Sequence, residues 1–125
     1  MKMILLVEDT TLLSEEIADI LRLEGYLMMS AKNAAQSLEF LSGFTPDLII
    51  TDLSMPKRDG FKLITRVRST DSLKSIPIII LSAMTSEADK KRGKELGADA
   101  FIVKPCKTYE LVASINSLLN AQVSF

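Results

Sequence analysis

The chain has 125 residues, of which 47% are hydrophobic and 25% are charged, and its formal net charge at pH 7 is −1. These values are typical of one globular domain, and they lack the basic excess of most nucleic-acid-binding proteins. The longest apolar runs, Met3–Val7 and Ile76–Leu81, are too short to span a bilayer, and the residues after Lys2 predict no signal peptide. We therefore predict a cytoplasmic protein that neither inserts into membranes nor contacts nucleic acid directly.

The sequence contains no histidine, and Cys106 is its only cysteine. Without histidine there can be no histidine general base, no histidine-based catalytic triad and no histidine metal site. A single cysteine also excludes an intramolecular disulfide and a cysteine-cluster zinc site.

Short apolar runs bounded by polar, glycine or proline residues predict five strands. In chain order these are Met3–Val7, Tyr26–Ala31, Leu48–Asp52, Ile78–Leu81 and Ala100–Val103. Apolar residues at helical spacing predict a helix after each strand. The first helix follows Asp9 and Thr10, either of which caps it, and ends at Glu24. The second helix follows its cap Asn33, and the third follows Gly60. The fourth helix spans Glu87–Leu96, and the fifth starts at Lys107.

Strands that alternate with helices on this scale form a parallel sheet with right-handed crossovers and helices on both faces. We therefore predict a single doubly wound α/β domain of the flavodoxin-like type, spanning residues 1–125. The carboxyl ends of all its strands lie at one edge of the sheet, where open α/β sheets bind ligands.

Five polar residues follow four of the predicted strands and are expected to meet at this edge: Glu8, Asp9, Asp52, Ser82 and Lys104. If the strand order is 2-1-3-4-5, the first and third strands are neighbours, and Asp9 faces Asp52. Lys104 then lies two strands away, roughly 10 Å at about 4.8 Å per strand, which a lysine side chain can span. Each of these residues has an ordinary alternative role in a helix cap or on the surface, but five such coincidences together are far less expected.

The three carboxylates cannot lie together unless protons or a cation compensate their charge. Two unit charges 4 Å apart repel by about 4 kcal/mol at an effective dielectric constant near 20. Mg²⁺ is a hard cation that prefers oxygen ligands and commonly uses one or two carboxylates with several waters. We therefore predict a magnesium site at this edge.

Short motifs across almost the whole chain resemble the receiver domain of two-component response regulators, the CheY-like family. They are Val7-Glu8-Asp9, Asp52 with Met55-Pro56 and Asp59-Gly60, Leu81-Ser82-Ala83, Gly97-Ala98-Asp99 and Lys104-Pro105. Each motif is weak alone, but all of them in this order and at these spacings are highly specific.

The resemblance implies that Asp52 accepts a phosphoryl group from a phosphohistidine on a histidine kinase or phosphotransfer protein. Glu8, Asp9, Asp52 and the backbone carbonyl of Ser54 would bind Mg²⁺, and Lys104 would pair with the phosphoryl oxygens. A receiver of this kind catalyses only its own phosphorylation and dephosphorylation, and is not otherwise an enzyme.

The resemblance also implies a switch. The Ser82 hydroxyl would bond a phosphoryl oxygen, the loop after the fourth strand would move, and Phe101 would rotate inward. The surface formed by the fourth helix, fifth strand and fifth helix would then bind a downstream protein target, with the chain a monomer or a weak dimer through that surface. Phe101 has no hydroxyl, so switching through a tyrosine hydrogen bond is excluded.

Three alternatives stay open from the residues. An aspartyl-phosphate hydrolase would need a second aspartate where Ser54 stands, and a flavodoxin-like cofactor module would need a phosphate cradle where Glu8-Asp9 stands. A receiver-like interaction module that works without phosphorylation is the third. Met1 just ahead of the first strand favours a natural N-terminus, and the chain is expected to be either a stand-alone receiver or one cut from a longer protein.

Overall fold

The computed structural model describes residues 2–53, 59–83 and 86–120. Its strands are β1 (Met3–Val7), β2 (Leu27–Ala31), β3 (Leu48–Thr51), β4 (Ile78–Ser82) and β5 (Ala100–Val103). Its helices are α1 (Thr11–Leu23), α2 (Ala34–Leu41), α3 (Asp59–Arg68), α4 (Glu87–Leu96) and α5 (Thr108–Asn120). The predicted alternation of strands and helices is confirmed, with bounds close to those expected from the sequence.

All five strands form one parallel sheet in the order β2-β1-β3-β4-β5. The predicted order is therefore confirmed. Because β1 pairs with β2 on one side and with β3 on the other, the chain direction across the sheet reverses at β1. The crevice at such a reversal is the usual ligand position in doubly wound sheets.

The central strands β1, β3 and β4 are buried on both faces, which explains why their sequences are continuous apolar runs. Successive residues point to opposite faces, so that Leu5 and Ile49 pack beneath α2 and α3 while Leu6 and Ile50 pack beneath α1 and α5. Each buried leucine or isoleucine contributes about 1.5–3 kcal/mol through removal of apolar surface from water. These two cores hold the sheet edges in fixed positions.

The helix starts differ in how their first N–H groups are satisfied. The side chain of Asn33 accepts a hydrogen bond from the N–H of Gln36, as predicted for the start of α2. At α1, Thr10 occupies the N-cap position, one of the two predicted alternatives, but its side chain makes no capping hydrogen bond. Instead, the Thr10 N–H donates to Glu8 Oε1 at 3.3 Å, so this turn depends on a residue of the candidate site.

Arg68, at the end of α3, joins three parts of the chain at the edge opposite the strand carboxyl ends. Its guanidinium donates to the carbonyls of Gly97 at 2.9 Å, Lys74 at 2.8 Å and Ile76 at 2.6 Å. It also forms an ion pair with Asp99 at 3.0 Å. The Asp99 carboxylate in turn accepts a hydrogen bond from the N–H of Ile78, the first residue of β4. The end of α3, the entry to β4 and the turn between α4 and β5 are therefore fixed together.

Gly97 is required at this junction for two reasons. Its φ of +109° is a left-handed conformation that residues with a Cβ rarely adopt, and a Cβ there would lie 2.9 Å from Arg68 Nε.

No helix among the described residues combines the length and the apolar character that a membrane span needs.

Replacing Arg68 with alanine is expected to lower the free energy of unfolding by about 2 kcal/mol, because several carbonyls lose a charged donor. Chemical denaturation of the purified variant measures this change. The matched control is Arg66→Ala, an exposed arginine on the same helix, for which a change within about 0.5 kcal/mol is expected. Equal losses in both variants would contradict the role given to the Arg68 contacts.

Candidate functional site

Glu8 and Asp52 lie side by side at the carboxyl ends of neighbouring strands. Asp52 directly follows β3, its side chain is almost fully buried, and its N–H donates to the carbonyl of Val7 at 3.1 Å. Glu8 directly follows β1, is also buried, and its N–H donates to the carbonyl of Ala31 at 3.0 Å. The parallel pairing of β1 with β3 therefore places two carboxylates at the crevice predicted from the sequence.

Asp9 completes an acidic cluster with these two residues. One ligand oxygen of each carboxylate, from Glu8, Asp9 and Asp52, lies within 4.8 Å of the others, and Asp9 is exposed. Lys104 reaches the cluster from β5, with Nζ 2.8 Å from Glu8 Oε2 and 3.1 Å from Asp52 Oδ2. With three carboxylates and one ammonium, the cluster has a formal charge of −2.

The ionisation of the cluster is altered by burial and by its own charges. Burial raises the pKa of Glu8, and the hydrogen bond and repulsion from Asp52 raise it further, while Lys104 acts in the opposite direction. For Lys104, burial disfavours the charged form, but hydrogen bonds and attraction from Glu8 and Asp52 outweigh it and raise the pKa. The lysine therefore stays charged, while the carboxylates remain under-compensated.

This donor set fits a hard divalent cation. Oxygen ligands from carboxylates are those that Mg²⁺ prefers, and a charge of +2 would neutralise the cluster. The fourth predicted protein ligand, the carbonyl of Ser54, lies outside the described residues.

The start of α3 is packed against the backbone that carries Asp52. A Cβ on Gly60 would lie 2.4 Å from the carbonyl oxygen of Asp52, which is too close for any side chain. The carboxylate of the adjacent Asp59 accepts the N–H of Ala34 at 2.5 Å and so ties the start of α2 to the start of α3. The absence of a side chain at Gly60 therefore permits the start of α3 to pack directly against the Asp52 backbone, a role that its place in a predicted turn did not reveal.

The two predicted switch residues lie on the neighbouring strands β4 and β5. Ser82 ends β4, is fully buried, and its carbonyl accepts the N–H of Lys104 at 2.8 Å. Phe101 lies on the edge strand β5, partly buried beside α4 and opposite Ile80. A Cβ on Gly93 of α4 would lie 2.6 Å from Ile80 Cδ1 and 3.8 Å from the Phe101 ring, so the helix packs tightly over Ile80 and is in ordinary contact with the aromatic ring.

Sequence reasoning missed one interaction in the site. Glu8 was expected to act only as a metal ligand and Lys104 only as a partner of phosphoryl oxygens, yet these two residues form an ion pair. The sequence did contain a signal for this ion pair, because the Lys104-Pro105 motif places a long, positively charged side chain at the same edge of the sheet as Glu8. The Lys104-Pro105 peptide bond is cis.

An apolar groove of about 410 Å³ borders the cluster between α1 and the start of α5. Its lining includes Leu13, Ile17 and Leu111. Lys104, which contacts the acidic cluster, also lines this groove. Cys106 also lies there, and burial together with the charge of Glu110 raises the pKa of its thiol. The thiol is therefore protonated near neutral pH and is a weak nucleophile.

The raised pKa of Glu8 predicts a pH-dependent stability without metal. Because the folded-state pKa lies above the unfolded value of 4.5, its contribution to stability is fully present below pH 4.5 and is lost as the pH rises through the folded pKa. Glu8→Gln should remove this loss, so that the variant gains stability relative to the wild type as the pH rises to 7.

Denaturation curves at pH 4 and pH 7 in EDTA measure this difference. The control is Glu15→Gln, an exposed glutamate on α1, whose effect should stay within about 0.5 kcal/mol at both pH values. A Glu8→Gln effect that does not change with pH would contradict the prediction.

The response regulator receiver domain family model matches residues 4–116 of this chain. The phosphate regulon transcriptional regulatory protein PhoB of Pseudomonas aeruginosa is 37% identical over 118 residues, which cover 94% of this chain and 52% of PhoB. This chain therefore spans about half the length of that relative.

Solved structures agree with the family match. The signal receiver domain of a signal transduction histidine kinase from Syntrophus aciditrophicus is 35% identical, with a TM-score of 0.90 and coverage of 100% of this chain and 98% of that one. A second solved structure is the receiver domain of sensor histidine kinase PA1611 from Pseudomonas aeruginosa PAO1, which has a magnesium ion coordinated in its active-site cleft. It is 26% identical to this chain, with a TM-score of 0.87, and the match covers 95% of this chain and 98% of that one. Fold, motifs and similarity together establish that this chain belongs to the response regulator receiver domain family of two-component systems.

Proposed function

We propose that this chain is the phosphoacceptor of a two-component phosphorelay and that Asp52 receives the phosphoryl group. The donor would be a phosphohistidine of a histidine kinase or histidine phosphotransfer protein. The observation that carries this proposal is the buried Asp52 carboxylate at the carboxyl edge of the sheet, with Lys104 Nζ at 3.1 Å and two further carboxylates beside it.

The chemistry suits these residues. An Asp52 oxygen would bond to phosphorus while the phosphorus–nitrogen bond of the donor breaks, and the imidazole would leave with that electron pair. Asp52 needs no neighbouring base as long as its carboxylate is ionised. Phosphoryl transfer depends mainly on positioning and charge compensation, and the Lys104 ammonium, 3.1 Å from Asp52 Oδ2, would pair with the transferred oxygens.

Phosphorylation would make the charge of the cluster more negative. A phosphoryl group carries about −1.5 to −2 charges, so replacing the Asp52 carboxylate would bring the cluster close to −3. Glu8, Asp9 and Asp52, with the Ser54 carbonyl, would hold Mg²⁺. Bound there, the ion would supply positive charge to the transferring phosphoryl oxygens. The cluster charge of −2 and the magnesium-bound PA1611 receiver support this part of the proposal.

We propose that the added phosphoryl group changes the surface formed by α4, β5 and α5. The Ser82 hydroxyl would bond a phosphoryl oxygen, and Phe101 would move inward beneath α4. The support is positional, since Ser82 ends the strand between β3 and β5, and Phe101 lies beside Gly93 of α4, where a Cβ would be 3.8 Å from its ring. A downstream protein, or a second copy in a weak dimer, would bind the changed surface.

We propose residues 1–125 as one receiver domain that acts in the cytoplasm. It would catalyse only its own phosphorylation and dephosphorylation. The apolar groove beside Lys104 supports a protein donor, because a small phosphodonor has no use for such a surface.

Incubation with radiolabelled acetyl phosphate and Mg²⁺ should label the wild type with an acid-stable, alkali-labile phosphate. EDTA should suppress labelling, and Asp52→Asn should abolish it, because the nucleophile is lost. The matched control is Asp71→Asn, an exposed aspartate that pairs with Lys74 and should leave labelling unchanged. Label on Asp52→Asn would identify a different acceptor, and an unlabelled wild type would favour a module that works without phosphorylation.

Ser82→Ala should still be labelled but should lose most of the structural response, because the phosphoryl oxygen has no hydroxyl to draw inward. Amide ¹H–¹⁵N spectra of β5 and α4, with and without acetyl phosphate, measure the response, and sedimentation of the same samples reports dimerisation. Ser42→Ala, an exposed serine after α2 and outside the α4-β5-α5 surface, is the control. A full response in Ser82→Ala would exclude the proposed switch.

A further inference from the structure

A second groove lies between α2, α3 and α4, on the opposite face of the sheet from α1 and α5. Its volume is about 530 Å³, and its floor is apolar, with Ala35 and Leu38 from α2 and Phe61 from α3. Its basic side chains are Lys62 and Arg66 from α3 and Arg92 from α4. No aspartate or glutamate is among the described residues that line it.

The three cations of this groove lack compensation within the described part of the chain. Lys62, Arg66 and Arg92 are exposed, and none forms an ion pair with a described carboxylate. Most other described lysines and arginines do, as Lys91 does with Glu95. A protein with a formal net charge of −1 thus concentrates positive charge over one apolar floor.

We propose that this groove, defined by Ala35, Leu38, Phe61, Lys62, Arg66 and Arg92, binds an acidic amphipathic helix of a partner protein. Lys62 and Arg66 stand one helical turn apart, about 5–6 Å between their Cβ atoms. Carboxylates four residues apart on a docked helix repeat at the same distance and match this pair. Apolar side chains between them reach the floor, and Arg92 faces the helix from the other wall.

The apolar floor favours a helix over a nucleic acid. Nucleic-acid affinity arises mainly from neutralised phosphates, and three cations on a protein of net negative charge supply little of it. An amphipathic helix uses both features of the groove, since its apolar stripe covers the floor and its acidic flank meets the cations. This site is separate from the acidic cluster, so it stands whether or not Asp52 is phosphorylated.

The test uses a fluorescein-labelled 20-residue peptide of leucine, glutamate and alanine, with leucine and glutamate along one helical face. Fluorescence anisotropy should show binding to the wild-type chain, weakened about tenfold or more in the double variant Arg66→Glu, Arg92→Glu. The matched control is Lys94→Glu, Lys107→Glu, which changes the net charge equally at exposed cations outside the groove and should weaken binding by less than about twofold. Thermal melts verify that each variant is folded.

Amide ¹H–¹⁵N spectra of the wild type titrated with this peptide provide a second measurement that needs no variant. Shifts should concentrate on Ala35, Leu38 and Arg66, with little change on α5. Equal weakening in both double variants, shifts centred on α5, or no binding at all would overturn the proposal. So would equal binding of a lysine-for-glutamate peptide or of a 20-nucleotide single-stranded DNA.

Discussion

Electrostatic repulsion between buried carboxylates is the constraint on which the rest of this structure depends. The parallel pairing of β1 with β3 holds Glu8 and Asp52 at adjacent strand ends, and both are nearly inaccessible to water. Lys104 Nζ is within hydrogen-bond distance of both, at 2.8 and 3.1 Å. One ammonium leaves two of three negative charges uncompensated, and the site is therefore prepared to accept further positive charge.

The fold sustains this arrangement because its interior leaves the strand ends little freedom. Layers of aliphatic side chains cover both faces of β1, β3 and β4, so the carboxylates cannot separate without exposing apolar surface. The carbonyl of Asp52 is further blocked by the approach of α3 at Gly60. The packed interior therefore limits how far the carboxylates of Glu8 and Asp52 can move apart at the edge of the sheet.

Much of this could be predicted from the sequence, because strand ends in a parallel sheet share one edge. The apolar run Leu48–Asp52 and the polar residues after other strands were enough to bring Glu8, Asp52 and Lys104 together. The ion pair between Glu8 and Lys104 was not predicted because it spans three strand steps, from β5 to β1, which is one more than the reach expected between Lys104 and Asp52. Arg68 gave no signal for a related reason, since its carbonyl partners become neighbours only in the folded chain.

The Arg68 contacts have a mechanical consequence for α4. They hold Gly97, directly after the C-terminal end of this helix, while its N-terminal end lies toward the edge of the sheet that carries Glu8 and Asp52. A helix fixed at one end pivots when its other end is displaced. At about 1.5 Å per residue, the ten residues of α4 form a lever of about 15 Å, so a 10° rotation would carry the free end by roughly 2.6 Å. A small rearrangement near Ser82 would therefore produce a larger displacement of the charged N-terminal end of α4, with the pivot at Arg68, at the opposite edge of the sheet.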